Sequence, residues 1–118
     1  VGDLHACMGD GELSGTGIET PGRICLKTTL YKDRPVSRPV IETVEALYFT
    51  ASAVTLDDAI RLAVSDTVAF LEKKLKLAFP DAYRLLSATC DIQISQVVND
   101  LKTVRVRCPK FDTGIPTL

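Results

Sequence analysis

Apolar residues recur at intervals of three and four along the middle of the chain, and this pattern constrains the fold more than any other feature. The apolar positions are Leu56, Ile60, Ala63, Val64, Val68, Leu71 and Leu75. They follow Thr55, a good helix N-cap, and the two carboxylates of Asp57 and Asp58 favour the positive end of a helix dipole. The sequence therefore predicts an amphipathic helix over residues 55–76 with one buried face.

A second helix and two strands are predicted in the C-terminal half. Pro80 suits the first turn of a helix, which then ends near Cys90. Its inner stripe is predicted at Ala82, Tyr83, Leu85, Leu86 and Ala88. Residues 92–98 and 103–108 alternate around a turn at residues 99–100, so they predict an antiparallel hairpin.

The last strand has an apolar face and a basic face. Val104, Val106 and Cys108 lie on the first, and Arg105 and Arg107 lie on the second. We expect the two arginines on an exposed surface. The alternative is that they bind a carboxylate, because a guanidinium group matches its geometry.

The N-terminal half is predicted to be mostly extended. Residues 18–30 alternate like a strand, residues 31–38 form an exposed turn, and Pro39 opens a further extended segment over residues 40–50. Strands followed by two helices and two more strands predict an α+β fold. Its two helices pack on one side of a mostly antiparallel sheet. At 118 residues, the chain is predicted to form a single domain over residues 1–118.

Composition excludes several classes of function. The net charge is −1 with both signs mixed along the chain, which argues against binding to nucleic acid or an anionic membrane. No apolar run reaches the roughly 18 residues that span a bilayer. The four cysteines, none in C-x-x-C spacing, predict free and mostly buried thiols in a reducing compartment, so we expect a cytoplasmic protein. These are Cys7, Cys25, Cys90 and Cys108.

Chemically versatile side chains are concentrated in the first twenty residues. Asp3 and the only histidine, His5, are followed by Asp10 and Glu12, which lie among glycines. If the opening residues form a strand, Asp3, His5 and Cys7 share one face. A carboxylate, an imidazole and a nearby acidic turn are groups that bind a divalent metal or perform acid/base chemistry on water.

Each of these residues also has an ordinary structural interpretation. A single histidine on a strand, such as His5, is more often hydrogen-bonded for structural reasons. The run Gly9-Asp10-Gly11 is more often a hairpin turn. Glu12 and Glu19, taken alone, would be solvated surface acids.

From Asp3 to Glu19 the chain has the pattern D-x-H-A-x-x-G-D-G-E-x-x-G-T-x-I-E. This run resembles the acetamidase/formamidase family of amide hydrolases. The resemblance continues through most of the chain, at residues 55–59, 81–87, 91–98 and 103–107. Cys7 departs from the small or polar residue that the family more often shows, so no role is carried over to it.

The resemblance implies hydrolysis of small linear amides, such as formamide or acetamide, to a carboxylic acid and ammonia. It also implies a metal-dependent enzyme assembled from more than one subunit. Family members are substantially longer, so the chain is expected to match their C-terminal portion, within a fold that contains a β-sandwich. The expected partners are the N-terminal portion, other subunits or further copies of this chain.

With the resemblance, the site residues acquire expected roles. A divalent metal, with zinc expected, can acidify bound water to a pKa of about 7 and polarise the amide carbonyl. His5 is a candidate nitrogen ligand, and Asp3 is a co-ligand or the carboxylate that fixes the imidazole tautomer. Glu12 is the candidate general base and then acid, and Asp10 either binds the metal or holds Glu12 in place. Glu19 is the weakest candidate.

A non-catalytic binding or assembly module is the alternative function. Two or three protein ligands rarely hold a catalytic metal, which usually has three ligands and water. A calcium-stabilised turn at residues 10–12 is a weaker alternative, because the EF-hand ligand pattern is not met.

Overall fold

Residues 2–110 are described by a computed structural model, in which two helices pack on a four-stranded antiparallel sheet and the N-terminal segment forms a small two-stranded sheet. The elements in chain order are β1 (His5–Cys7), β2 (Ile18–Glu19), β3 (Val40–Glu42), β4 (Ala46–Ala53), α1 (Leu56–Leu75), α2 (Phe79–Thr89), β5 (Asp91–Gln96) and β6 (Lys102–Pro109). The larger sheet has the strand order β3-β4-β6-β5. The predicted α+β fold is thereby confirmed.

The core lies between α1 and the two central strands, β4 and β6. Alternate residues of these strands are buried, namely Leu47, Phe49, Ala51, Val104, Val106 and Cys108. Small side chains at Ala59 and Ala63 are fully buried on the facing side of α1 and allow the helix to approach the sheet closely. Phe49 and Phe70 add a tilted ring pair with centroids 5.1 Å apart. The predicted apolar face of the C-terminal hairpin, with Val104, Val106 and Cys108, therefore forms part of this core.

Both predicted helices are present. Oγ1 of Thr55 accepts a hydrogen bond from the Asp58 N–H at 3.1 Å, and α1 ends before Lys76, which has the left-handed φ of 57°. Pro80 lies in the first turn of α2, as expected for a residue without an N–H.

The predicted inner stripe of α2 is only partly correct. Ala82 and Leu86 are buried and Leu85 is half-buried, but Tyr83 and Ala88 are exposed. The reason is that α2 contacts α1 and β6 along a narrow face, and the Tyr83 ring instead stacks on Phe79 at the surface, with centroids 5.7 Å apart.

The strand predicted over residues 18–30 is wrong beyond Glu19. The chain after β2 has no regular structure until residue 40, and residues 20–30 are all exposed. Pro21 cannot donate to a strand ladder, and no neighbouring strand within residues 2–110 pairs with this segment. Its far end is fixed to α1, because Nη1 of Arg38 donates to both carboxylate oxygens of Asp66 at 2.9 and 2.8 Å.

The extended segment predicted over residues 40–50 is divided into a hairpin of β3 and β4. Oγ1 of Thr43 accepts the N–H groups of Glu45 and Ala46 at 3.3 and 3.1 Å and so stabilises the turn between them. A hydroxyl that bonds locally in this way competes with a continuous strand.

The four cysteines are free thiols, but the prediction that they are mostly buried is wrong for two of them. Cys7 and Cys25 are exposed, Cys90 is half-buried and Cys108 is buried. Their positions follow from the segments that carry them, since the first two lie in the poorly covered N-terminal third. Within residues 2–110, no helix has the length and apolar character to cross a membrane.

Candidate functional site

A short antiparallel hairpin holds the histidine of the N-terminal segment. His5 on β1 pairs with Glu19 on β2, and Cys7 pairs with Ile18. The N–H of Thr20 donates to the Leu4 carbonyl at 2.9 Å and extends the pairing. This register makes His5 and Glu19 direct cross-strand neighbours. The segment over residues 9–17, called the acidic loop below, connects β1 to β2 at the closed end of the hairpin.

Gly17 packs directly on the histidine ring. A Cβ atom at this position would lie 2.9 Å from Cγ and Nδ1 of His5 and 2.7 Å from the Cys7 carbonyl oxygen. The absence of a side chain at Gly17 is what permits this close approach. The contact between Gly17 and the His5 imidazole depends on the register of the hairpin, so it could not be inferred from the sequence.

The acidic loop is attached to the outer edge of the larger sheet by backbone hydrogen bonds. Gly11 donates its N–H to the Ser95 carbonyl at 3.2 Å and accepts the Val97 N–H at 3.0 Å, forming a parallel bridge opposite Gln96. Strand β5 is irregular between Ile94 and Gln96, at the point where the loop attaches. Gly11 is buried with φ of 94°, a conformation that suits glycine.

A side-chain ion pair attaches the same loop from the other direction. Nη2 of Arg105 on β6 donates to both carboxylate oxygens of Asp10, at 2.8 and 2.9 Å. The guanidinium also donates from Nε to Gln93 Oε1 at 2.8 Å and from Nη1 to Ser95 Oγ at 3.2 Å. The alternative expectation, in which Arg105 binds a carboxylate, is therefore correct, and the carboxylate belongs to the acidic loop.

Arg107 lies beside Arg105 on the sheet face opposite the helices. Its Nη1 lies 3.4 Å from Oδ2 of Asp91. The hydrogen bond with Tyr48 is the largest cause that raises the pKa of the Arg107 guanidinium, and the Asp91 carboxylate adds to it. Arg107 is thus cationic throughout the ordinary pH range and, like Arg105, binds a carboxylate of the chain.

Glu12 follows the attached residues immediately. It is half-buried and has φ of 45°, in the left-handed region that non-glycine residues seldom adopt. Its N–H donates to the Gly9 carbonyl at 3.2 Å, and its carbonyl accepts the Gly15 N–H at 2.8 Å. Hydrogen bonds within the loop therefore hold the backbone of Glu12, and Gly11 immediately before it is bonded to the larger sheet.

Asp3 lines a shallow, open groove of about 290 Å³, together with Leu4, Glu19, Thr20 and Pro21. No group of three or more His, Cys, Asp or Glu side chains within residues 2–110 is arranged to hold a metal ion. The residues described here are thus insufficient for a complete metal site, and the roles of His5 and Asp3 as ligands stay predictions.

Solved structures of amidases resemble this chain in both sequence and fold. The acetamidase of Bacillus halodurans is 35% identical with a TM-score of 0.88, and 96% of this chain aligns with 39% of that protein. A predicted acetamidase/formamidase from the thermophile Thermoanaerobacter tengcongensis is 37% identical with a TM-score of 0.87, over 96% of this chain and 38% of that protein. The acetamidase of Yersinia enterocolitica is 28% identical with a TM-score of 0.78, over 92% and 33%.

The chain therefore spans about two fifths of the length of the first two structures. This partial coverage agrees with the expectation that it matches one portion of a longer fold. No protein-family model and no curated protein matches the sequence.

Proposed function

Because this chain is related to the acetamidase/formamidase family, we propose that it forms part of an enzyme that hydrolyses small linear amides to a carboxylic acid and ammonia. The observation that carries the proposal is the match to two such structures at 35% and 37% identity over 96% of the chain. The proposal is further supported by the attachment of the acidic loop to the larger sheet, through Asp10 to Arg105 and through Gly11 to Ser95 and Val97.

The proposed chemical role of Glu12 is proton transfer. Water must lose a proton as it attacks the amide carbonyl, and the nitrogen must gain one before the C–N bond breaks. A half-buried carboxylate on a fixed backbone can accept the first proton and deliver it to the leaving amine. Asp10 is assigned the second of its two expected roles: it holds Glu12 in place, because both of its oxygens are bound to Arg105.

His5 and Asp3 are proposed to contribute to a divalent metal site, with zinc expected, that is completed by ligands from outside residues 2–110. His5 is half-buried with its ring against Gly17, and Asp3 lies on the open groove beside Glu19. Neutral imidazole and carboxylate are suitable donors for zinc. The described residues do not form the full ligand set.

The alternative, a binding or assembly module, is favoured by a different observation. Large apolar side chains are exposed along the N-terminal third: Leu13, Ile18, Ile24, Leu26, Leu30, Tyr31 and Val36. Leu26 and Leu30 are 69% and 78% exposed, and exposed apolar residues on a continuous segment mark an interaction surface. We propose that the remaining portion of the amidase fold, or further subunits including copies of this chain, cover this segment.

Ammonia release from formamide and acetamide tests the enzymatic proposal. The assay uses the polypeptide that carries this chain, together with any protein that co-purifies with it, and with its metal content measured. Glu12→Gln should lower turnover by at least about a hundredfold, the usual scale for a lost general base. His5→Ala should lower both turnover and metal content, because it removes a proposed nitrogen ligand. Glu45→Gln, an exposed glutamate in the turn before β4, is the matched control and should retain activity.

The two functions give opposite results in this assay. Undiminished turnover in both variants would contradict the assigned roles. A stable assembly that contains no metal and releases no ammonia from any small amide would favour the binding module instead.

A further inference from the structure

We infer that Arg105 is a positioning residue for the proposed amidase site, acting through Asp10 on the backbone that carries Glu12. The catalytic part of this inference rests on the proposed function, whereas the effect on the loop does not. Arg105 belongs to the central strand β6, and its partner Asp10 lies 95 residues earlier in the chain. The two residues therefore connect the sheet of the C-terminal half to the N-terminal segment.

Hydrogen bonds to strand β5 orient the Arg105 guanidinium independently of its ion pair with the acidic loop. Its Nε donates to Gln93 and its Nη1 donates to Ser95, both on the neighbouring strand β5. The remaining nitrogen, Nη2, donates to Asp10. The arginine side chain is 24% exposed, and the aspartate is 55% exposed. A guanidinium that is already oriented by two hydrogen bonds loses little freedom when it binds a third group, unlike the mobile partners of an ordinary surface ion pair.

Two anchors of different kinds meet at consecutive residues. The side chain of Asp10 is held by Arg105, and the backbone of Gly11 is held by Ser95 of β5 and by Val97 just after it. The next residue, Glu12, has the left-handed φ of 45°. A glutamate released from such anchors would relax toward the more common conformations, and its carboxylate would then point elsewhere.

Ser95 links the two anchors. Its carbonyl accepts the Gly11 N–H, while its hydroxyl accepts a hydrogen bond from Arg105. Ser95 lies between Ile94 and Gln96, where the pairing of β5 with β6 is irregular. Bulges of this kind commonly redirect a residue next to a functional site.

Backbone hydrogen exchange tests the positioning of the loop without any activity. In Arg105→Lys and Asp10→Asn, the amides of Gly11 and Val97 should exchange at least about tenfold faster, while amides in the centre of α1 keep their rates. Arg107→Lys is the matched control, because Arg107 lies on the same face and pairs with Asp91. Unchanged exchange at Gly11 in both test variants would overturn the inference.

Steady-state kinetics of formamide hydrolysis test the consequence for Glu12. Each single variant should lower kcat by about ten- to a hundredfold with little change in KM, and the double variant should be no worse than either single one. Asp10→Glu combined with Arg105→Lys should recover part of kcat, since the longer carboxylate compensates for the shorter cation. Additive losses without recovery would contradict the role of Arg105.

A failure of the proposed function gives a different result. If the unmodified protein releases no ammonia, the amidase proposal fails, and the exchange rates at Gly11 and Val97 still decide whether Arg105 holds the loop.

Discussion

Gly17 lies against the imidazole ring of His5 with no space for a side chain between them. His5 is the first residue of β1 and Gly17 directly precedes β2. A Cβ atom on the glycine would come within 2.9 Å of two ring atoms. Separations this short do not occur between real non-bonded carbon atoms, so any side chain at this position moves the ring or the backbone. The position of the only histidine therefore depends on a glycine twelve residues away.

We expect Gly17→Ala to displace His5. Overpacking of this kind costs about 1–3 kcal/mol of stability where the structure yields, and the ring resonances of His5 should shift in an NMR spectrum. Gly9→Ala is the matched control, because nothing lies within 4 Å of its added Cβ. Identical His5 spectra in the unmodified protein and in Gly17→Ala would show that the hairpin accommodates the methyl group.

Leu71 should be among the costliest positions in α1. Its side chain is fully buried against the sheet, so Leu71→Ala removes apolar contacts and leaves a cavity, at a cost of about 2–5 kcal/mol. Leu13→Ala removes the same atoms from a side chain that is 80% exposed and should change stability by less than about 0.5 kcal/mol. Denaturant unfolding monitored by circular dichroism compares the two, and equal midpoints would contradict the assigned core.

Thr55 should stabilise α1 through its hydroxyl. Oγ1 accepts the Asp58 N–H and donates to the Asp58 carboxylate at 2.7 Å. Thr55→Ala should therefore cost about 1 kcal/mol of unfolding free energy, and Thr55→Ser should retain most of it. Thermal melts of the three proteins distinguish the hydroxyl from the methyl group, and a serine variant as unstable as the alanine variant would exclude the cap.

The thiols of Cys90 and Cys108 should differ in reactivity. Their Sγ atoms lie 3.3 Å apart. The contact with Cys108 lowers the pKa of Cys90, despite opposing burial, whereas the same contact together with burial raises the pKa of Cys108. Because alkylation requires the thiolate, Cys90 should react with iodoacetamide at lower pH than an ordinary cysteine, and Cys108 should not.

Substitution of Cys108 provides the check. Cys108→Ala removes this contact, so the pH at which Cys90 is half-alkylated should rise. Cys108→Ser keeps a polar hydrogen-bonding group there and should keep that pH low. Peptide mass spectrometry after timed alkylation reports each cysteine separately. A Cys90 profile that is indifferent to both substitutions would show that burial controls its reactivity.

The helices and the C-terminal hairpin could be predicted because their signals are local. The cap at Thr55 and the three-and-four spacing after it are properties of neighbouring residues. Residues 20–30 alternate just as well, but a strand requires a partner, and the sequence does not state whether one is present. Within residues 2–110 no strand pairs with them.

The candidate site was predictable only in part, for a related reason. The motif identified the segment that contains His5 and Glu12, because its residue types are local and uncommon. It did not identify Gly17 as a contact of the imidazole, which depends on hairpin register. The partner of Asp10 lies 95 residues away, and an alternating strand indicates only that Arg105 faces the same side as Arg107.

The bridge between Gly11 and β5 also bears on how the molecule behaves toward its neighbours. Within residues 2–110, β5 is the last strand of its sheet, and unpaired N–H and C=O groups at such an edge recruit strands from other molecules. The acidic loop occupies two of these groups and places the charged Asp10 beside them. A variant that frees the loop would consequently expose this edge and be prone to aggregate.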